Sequence, residues 1–247
     1  MDEEFAGTYA AKVLLGTVKE VGVLTGAGIS AESGIQTFRD KDDGLWHKYD
    51  PEHFASMNGF KEDPELVWGW YADRRVAMRA AAPNMAHVSL TKLAETKKVR
   101  IFTQNIDDLH ERAGSKDVMH FHGDIKTARC LDDCGWEGDV DHVKYVSKDN
   151  VPRCPSCGAI ARPNVVWFGE QLNWVEFTEA QSYLMKSKVI LLIGTSNQVQ
   201  PVAGLAERAA YCGAKVISVN KRNTDHPHFA SIKLTGPAGA ILTKLAA

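Results

Sequence analysis

Val21-Gly22-Val23-Leu24-Thr25-Gly26-Ala27-Gly28-Ile29-Ser30-Ala31-Glu32-Ser33-Gly34 reads as a short apolar strand, Val21–Leu24, that runs into a tight glycine turn. Gly26, Gly28 and Ala31 fit the G-x-G-x-x-G/A spacing of a dinucleotide loop: a glycine for the turn, a glycine for backbone approach to a pyrophosphate, and a small residue for close packing. Backbone N–H groups at such a turn form an anion site. The pattern alone is weak, because tight turns take glycines for their own sake. Its surroundings decide the matter.

Upstream, residues 8–20 carry apolar Ala10, Val13, Leu14 and Val18 at helical spacing. Downstream, Gly34–Asp40 has turn chemistry without a clean period, and Lys41-Asp42-Asp43-Gly44 is a polar break, so the segment is expected to be a working loop held by Phe38, Leu45 and Trp46. Residues 62–81 form a strong helical signal that opens on Asp63-Pro64, an N-cap followed by proline at the first helical position. A second helix is expected from Pro83-Asn84 to about Lys97. It leads into the strand Val99–Thr103, and another apolar run, Val118–Phe121, ends in His122-Gly123. Strands are then expected at Val165–Phe168, Val189–Ile193, Val216–Val219 and Ile232–Leu234, with helices near 175–187 and 201–212 between them. Val189-Ile190-Leu191-Leu192-Ile193 is apolar throughout, as in a strand buried on both faces of a parallel sheet. The alternation predicts an α/β fold, a doubly wound parallel sheet.

The chain of 247 residues suits one large domain, or a core domain with a smaller insertion. A formal net charge of −2 gives no electrostatic footprint for nucleic acid or for an anionic membrane. No apolar run approaches the roughly 20 residues that span a bilayer, and Met1-Asp2-Glu3-Glu4-Phe5 has the wrong charge for a secretory signal. Four closely paired cysteines point to a metal site in a reducing compartment rather than to disulfides. The expected location is the cytoplasm.

Cys130 and Cys134, then Cys154 and Cys157, have nearly the spacing of a zinc ribbon, with thiolates on two turns. A closed four-cysteine site leaves no position for substrate, so its expected role is structural. Asp132, Asp133, Glu137, Asp139 and Asp141 make the region acidic, which opposes phosphate contacts. Cys212 is expected to be packing. His122 follows a strand at the edge where open α/β sheets bind ligands, and an imidazole with an ordinary pKa near 6.5 suits proton abstraction from a hydroxyl. A histidine there is often merely structural, and the other eight, His87 and His110 among them, lack even that setting. Gln104-Asn105-Ile106-Asp107 ends another strand beside it. Gly194-Thr195-Ser196 and Asn220 end two further strands at the same edge, where hydroxyls suit phosphate and an amide suits a ribose. A dehydrogenase would carry Asp or Glu about 20 residues past the glycines, on a second strand. Here that region holds Leu45-Trp46-His47, which lowers the hydride-transfer reading.

GAGISAESGI, TFR, TQNID, His122-Gly123, the cysteine quartet, VVWFGE at 165–170, GTS at 194–196 and Asn220 occur in this order in the sirtuins, NAD-dependent protein lysine deacylases, and the chain resembles that family from about residue 12 to 245. The resemblance implies a Rossmann-like domain from residues 1–40, 84–125 and 163–247, with a small domain made of a helical part, 41–83, and a zinc-binding part, 126–162. It implies that NAD lies between the domains and is consumed as co-substrate. The acyl oxygen attacks C1′ of the nicotinamide ribose, nicotinamide leaves, an alkylimidate forms, and water completes release of lysine and O-acyl-ADP-ribose. His122 would be the general base, and Asn105 and Asp107 would position the nicotinamide end. Phe38 would shield the ribose. Cofactor contacts implied by the resemblance are Gly26, Ala27, Gly28, Ile29 and Glu32 in the first loop. Thr37, Arg39 and Trp46 follow, and Gln104 and Ile106 stand beside the catalytic pair. Gly194, Thr195, Ser196, Asn220, Lys221, Arg222 and Ala238 complete the set. The acylated peptide would add as a strand along Val166, Phe168 and Gly169 on one side and Val199 on the other.

Two features refine the expected substrate. Gln36-Thr37 stands where many deacetylating sirtuins have Pro-Asp. Tyr71-Ala72-Asp73-Arg74 places a hydroxyl and a guanidinium on one helical face, where both can meet a carboxylate. This resembles the Tyr-x-x-Arg of the sirtuin branch that removes succinyl, malonyl or glutaryl groups. Spacing alone favours a solvated arginine on an amphipathic helix with a core tyrosine; the resemblance reverses that preference. Arg75 should face elsewhere. The expected activity is therefore deacetylation together with removal of acidic acyl groups, by a monomer with one structural zinc. ADP-ribosyl transfer and a non-catalytic NAD- or ADP-ribose-binding module are the alternatives.

Overall fold

The computed structural model describes residues 3–38, 44–139 and 151–247, and of Glu3 and Glu4 the backbone alone. The chain divides into two compact units. The first comprises Met1–Thr37, Ala82–Phe121 and Asn173–Ala247; the second comprises Phe38–Ala81 and His122–Leu172.

The first unit is a doubly wound α/β domain. Its strands are β1 (Glu20–Thr25), β2 (Lys98–Thr103), β3 (Val118–His120), β7 (Val189–Ile193), β8 (Lys215–Asn220) and β9 (Ile232–Thr235). They form a six-stranded sheet in the order β3-β2-β1-β7-β8-β9. Every neighbouring pair is parallel. Its helices are α1 (Glu3–Gly16), α5 (Met85–Leu93), α6 (Leu109–Arg112), α7 (Trp174–Lys186), α8 (Ala203–Tyr211) and α9 (Ala238–Ala246). Strand alternation sorts the core. Val21 and Val23 share a cluster with Leu15 of α1, Leu90 of α5 and Ile241 and Leu245 of α9. Gly22 points the opposite way, where a Cβ would stand 2.8 Å from Leu184 of α7. β7 is fully buried along its length, as its unbroken apolar run requires. Each such Ile or Leu contributes about 1.5–3 kcal/mol by leaving water.

The first helix begins at Glu3, not near residue 8, and ends at Gly16. Acidic residues in a first turn complement the helix dipole, and Thr17 turns its hydroxyl back onto the Leu14 carbonyl, at 2.7 Å, where the helix stops. The second helix ends at Leu93, short of Lys97, and Glu95, Thr96 and Lys97 continue as tightening turns.

The second unit holds α2 (Pro51–Phe54), α3 (Met57–Glu62) and α4 (Pro64–Ala80) with a three-stranded antiparallel sheet in the order β5-β4-β6. β4 is Gly123–Cys130, β5 is Glu137–Asp139 and β6 is Ala161–Val165. The expected strand Val165–Phe168 is displaced: β6 ends at Val165, and Phe168 makes only an isolated parallel bridge with Ser56. α4 opens as the sequence indicates, with the Asp63 carboxylate accepting the Leu66 N–H at 2.9 Å and proline at the first position. Trp68 ties α4 to β6 by donating its indole N–H to the Ala161 carbonyl at 2.8 Å.

Candidate active site

β1 and β7 are adjacent, and the chain winds away from them in opposite directions, so their carboxyl ends form the topological switch point where such sheets bind ligands. The glycine turn sits there as a short 3-10 turn, Ala27–Ile29. Gly26 N–H donates to the Ile193 carbonyl at 3.0 Å and Gly28 N–H to the Gly194 carbonyl at 2.8 Å. A Cβ on Gly28 would stand 2.7 Å from Gly194 Cα, and one on Gly26 2.8 Å from Gly194 O. Gly194, at φ +60°, would place its own Cβ 2.3 Å from the Ile29 nitrogen. The three glycines are therefore an interlock between two loops. Gly28→Ala should lower unfolding stability by about 2 kcal/mol or more, since backbone blocks relief of the overlap; an unchanged urea midpoint would contradict this.

Around the turn runs a buried polar network. Asn105 Nδ2 donates to Ser30 Oγ at 3.1 Å, and Ser30 Oγ donates to Asp107 Oδ2 at 3.0 Å. Leu109 N–H donates to Asp107 Oδ1 at 3.1 Å. Burial pushes the Asp107 carboxyl pKa up, against these two hydrogen bonds. Gln104 Nε2 donates to Thr195 Oγ1 at 3.1 Å, and Asn220 Nδ2 reaches the Thr195 carbonyl at 3.4 Å. His120 Nδ1 lies 2.9 Å from the Asn105 carbonyl oxygen and its Nε2 2.7 Å from Glu111 Oε1, so the ring ties the Asn105 backbone to α6.

His87 and His110, set aside in the sequence, are fully buried with ring centroids 4.9 Å apart. His87 Nδ1 accepts the Asn84 N–H in a capping box, which leaves the proton on Nε2. His110 Nε2 donates to Thr25 Oγ1 at 3.1 Å, and Thr25 donates to Thr103 Oγ1 at 2.8 Å. Thr103 also accepts the Asn105 N–H at 3.0 Å, so the pair joins the Asn105 network. Desolvation lowers His87 to about 4 and His110 to about 3. Unfolded, each takes a proton near 6.5. Their contribution to stability is thus complete above pH 6.5 and is lost as pH falls towards 4 and 3. These two histidines together lower the unfolding free energy by about 3–4 kcal/mol between pH 7.5 and 5.0, against a gain of opposite sign from Asp107, whose raised pKa favours proton uptake by the folded state, so a net fall in stability is expected. Urea titrations at the two pH values test this, and equal stability would overturn it. Paired carboxylates such as Glu170, whose pKa is lowered, act only below about 4.5.

In the second unit, Cys130, Cys134, Cys154 and Cys157 bring all four Sγ atoms within 4.8 Å of one another. Sγ–Sγ distances of 3.5 Å for Cys130–Cys157 and Cys134–Cys154 compare with about 3.8 Å across a tetrahedron of 2.3 Å zinc–sulfur bonds. Burial raises the Cys154 thiol, but N–H groups of Cys157 and Ser156 outweigh it and bring it down to about 7. The donor set fits structural zinc. Metal analysis should find about one zinc per chain, and chelation should unfold this unit; a metal-free, equally stable protein would contradict it.

The same unit carries an aromatic cluster on α4. Trp46 stacks on Trp70 at 6.0 Å, Phe38 lies 5.2 Å from Trp46, and Phe168 meets Trp46 edge-on at 6.1 Å. The Arg74 guanidinium lies 4.3 Å from the Trp70 ring and 5.4 Å from Phe38. Burial lowers the Arg74 pKa to about 10, so it remains a cation at neutral pH. Among the described residues no carboxylate pairs with it, and its buried Nε has no hydrogen-bond partner. Trp46 Nε1 and Trp70 Nε1 are likewise buried donors without acceptors. Tyr71, 3% exposed, accepts the Trp167 indole N–H at 2.9 Å.

The Sir2 family model matches residues 26–201. The chain belongs to the Sir2 family. It is 43% identical over 237 residues to NAD-dependent protein deacylase 1 of Pseudomonas aeruginosa, covering 94% of this chain and 95% of that protein. It is 40% identical to NAD-dependent protein deacylase 1 of Archaeoglobus fulgidus over 246 residues, 99% of this chain and 96% of that one. A Sir2 homologue in complex with NAD superposes with a TM-score of 0.86 at 39% identity, over 100% of this chain and 93% of the other. A Sir2 protein bound to a myristoylated histone peptide gives 0.79 at 32% identity, over 98% and 95%. This sirtuin is an NAD-dependent protein deacylase with NAD as co-substrate.

Within the sirtuin, the expected cofactor residues divide between the units. Gly26, Ala27, Gly28, Ile29, Gln104, Asn105, Ile106, Asp107, Gly194, Thr195 and Asn220 gather at the carboxyl edge of the parallel sheet. Ser196 follows Thr195 and is exposed; Lys221 and Arg222 follow β8. Glu32 Oε1 accepts the Gly239 N–H at 2.8 Å, so it caps α9 beside Ala238, the first residue of that helix. Thr37 is half-buried at the end of that segment, and Val199 starts the turn before α8, with its carbonyl accepting the Ala203 N–H. Arg39 lies outside the described residues. His122 is half-buried in the turn before β4, and its carbonyl accepts the Val166 N–H at 2.9 Å. Phe168 N–H donates to the Ala55 carbonyl at 2.8 Å and Glu170 N–H to the Trp167 carbonyl at 3.0 Å, on either side of Gly169. Ser30, Thr103, His110, His120, Arg162 and Trp167 were missed as site residues. Only Asn84-x-x-His87, a capping-box spacing, carried a local signal.

Proposed function

We propose that this sirtuin removes acidic acyl groups of the succinyl and malonyl type, as well as acetyl groups, from protein lysines. The observation that carries the reading is the half-buried Arg74 cation, its Nε buried and with no carboxylate partner among the described residues, one helical turn from Tyr71. A desolvated guanidinium without a counter-ion is costly, and a ligand carboxylate removes that cost. Trp46 and Trp70 add only donors, and Tyr71 already accepts from Trp167. The group's unsatisfied capacity is thus for an acceptor, which an ionised acyl terminus supplies. One Sir2 relative is complexed with a myristoylated peptide, so the shared fold alone does not set the acyl group.

In this reading His122 takes the proton of a nicotinamide-ribose hydroxyl. Asn105 and Asp107, held by Ser30, orient the nicotinamide end, and Phe38 keeps water from the ribose. Val166, Phe168, Gly169 and Val199 receive the peptide backbone. NAD supplies the ADP-ribose that accepts the acyl group. The test is one lysine peptide in acetyl, succinyl, malonyl and glutaryl forms, assayed with NAD for nicotinamide, free lysine peptide and O-acyl-ADP-ribose. Turnover of the acetyl form alone refutes the acidic-acyl reading, and ADP-ribosylated peptide in place of free lysine refutes deacylation of these peptides.

A further inference from the structure

Tyr71 does not orient its own hydroxyl. Indole Nε1–H only donates, so its 2.9 Å bond from Trp167 occupies an acceptor site on the Tyr71 oxygen and leaves the phenolic proton to be donated elsewhere. Trp167, 2% exposed, is itself fixed on several sides. Its backbone N–H donates to Glu170 Oε2 at 2.8 Å, and its carbonyl accepts the Glu170 N–H at 3.0 Å. The Arg162 guanidinium lies 3.5 Å from the centre of its ring, and Phe60 packs at 5.0 Å. Arg162, also 2% exposed, holds Glu170 through both guanidinium nitrogens, Nη2 to Oε2 at 2.9 Å and Nη1 to Oε1, and it donates to the Val165 carbonyl at 2.8 Å. A bidentate buried pair of this kind has one geometry.

We infer that Trp167 is a specificity-determining positioning residue: its indole N–H fixes the Tyr71 hydroxyl as a donor to the acyl carboxylate, and the Arg162–Glu170 pair fixes Trp167. The inference rests on the acidic-acyl reading above and extends it to a residue that touches no acyl carboxylate itself. Acetyl-lysine carries no terminal carboxylate, so it does not draw on this relay. The relay therefore acts on discrimination between acyl groups.

Trp167→Phe removes the indole donor and keeps an aromatic ring under Arg162. It should raise the ratio of KM for succinyl-lysine to KM for acetyl-lysine about three- to tenfold, with the kcat ratio unchanged, the loss of one oriented neutral hydrogen bond. In a Tyr71→Phe background the same substitution should add nothing, because the hydroxyl it orients is gone. Equal changes on both substrates, or full additivity in the Tyr71→Phe background, would overturn the inference. Arg74→Met, assayed in parallel, separates the two levels. If it lowers succinyl discrimination while Trp167→Phe does not, the relay fails alone. If wild type turns over no acidic acyl peptide, the acidic-acyl reading fails and the relay with it. Should Trp167→Phe fold poorly by thermal melting, Trp167→Met, which fills the space flexibly without an indole donor, decides: an unchanged KM ratio overturns the relay, and a ratio raised by the same three- to tenfold, absent in the Tyr71→Phe background, supports it.

Discussion

Arg74→Met lowers kcat/KM for a succinyl-lysine peptide by about a hundredfold or more, and the loss on the matching acetyl peptide is far smaller. Methionine preserves much of the side-chain bulk against Trp70 and Phe38, so the aromatic cluster keeps its packing. What disappears is the cation. A charge-assisted hydrogen bond to a carboxylate contributes about 1.5–3 kcal/mol. Stripping a buried charge of its partner costs about 3–5 kcal/mol, and each 1.36 kcal/mol is a factor of ten in rate. The difference is expected in KM and kcat/KM for the acidic substrate, since Arg74 binds a part of the acyl chain that does not react. Arg75→Met, next in sequence and on another helical face, is the control and should leave the ratio of the two substrates where it is. Equal losses on both peptides for Arg74→Met would make the arginine a packing residue and withdraw the acidic-acyl reading.

His122→Tyr abolishes turnover of every acyl peptide and leaves the fold intact. General-base catalysis supplies about two to four orders of magnitude, and a tyrosine hydroxyl, with an ordinary pKa near 10, is not a base at neutral pH. The carbonyl of residue 122 accepts the Val166 N–H whatever the side chain, so the substitution keeps that backbone tie. Thermal melting close to wild type, retained NAD binding, and nicotinamide release reduced at least a hundredfold on acetyl and succinyl peptides alike are the expected results. Turnover within a few-fold of wild type would remove His122 from the role of base.

How much of this was readable in the chain depends on whether the determining interaction is local. β7 is an unbroken apolar run and β8 is carried by Val216, Ile217 and Val219, so their positions follow from the local sequence. α4 announces itself through Asp63-Pro64 and a buried stripe that includes Val67, Trp70 and Tyr71. β6 does not, because Ala161-Arg162-Pro163-Asn164-Val165 places an arginine and a proline inside a strand, and the arginine is buried against Glu170 and Trp167, which lie outside the strand. α2 and α3 span too few residues for a 3.6-residue period to emerge. His110 has no local signal because its partner, Thr25, lies on a distant strand, and His87 is buried against the His110 ring. The four cysteines were legible because ligand spacing is itself the local signal. The Trp167–Tyr71 bond joins residues 96 positions apart and has no local signature.

The glycine interlock has a genetic consequence. When one side chain crowds another, a smaller partner often restores the fit, and second-site suppressors arise. Here a Cβ at Gly28 meets the main chain of residue 194, one at Gly26 meets the Gly194 oxygen and the Cα and Cβ of Thr195, and one at Gly194 meets the main chain of residues 28 and 29. None of the three glycines has a side chain to give up to another. A lesion at any one of the three should therefore yield true revertants and no compensating change at the other two. Chimeras of two related chains will keep the nucleotide loop only when both parents carry glycine at all three positions, or when no crossover separates residues 26–28 from 194.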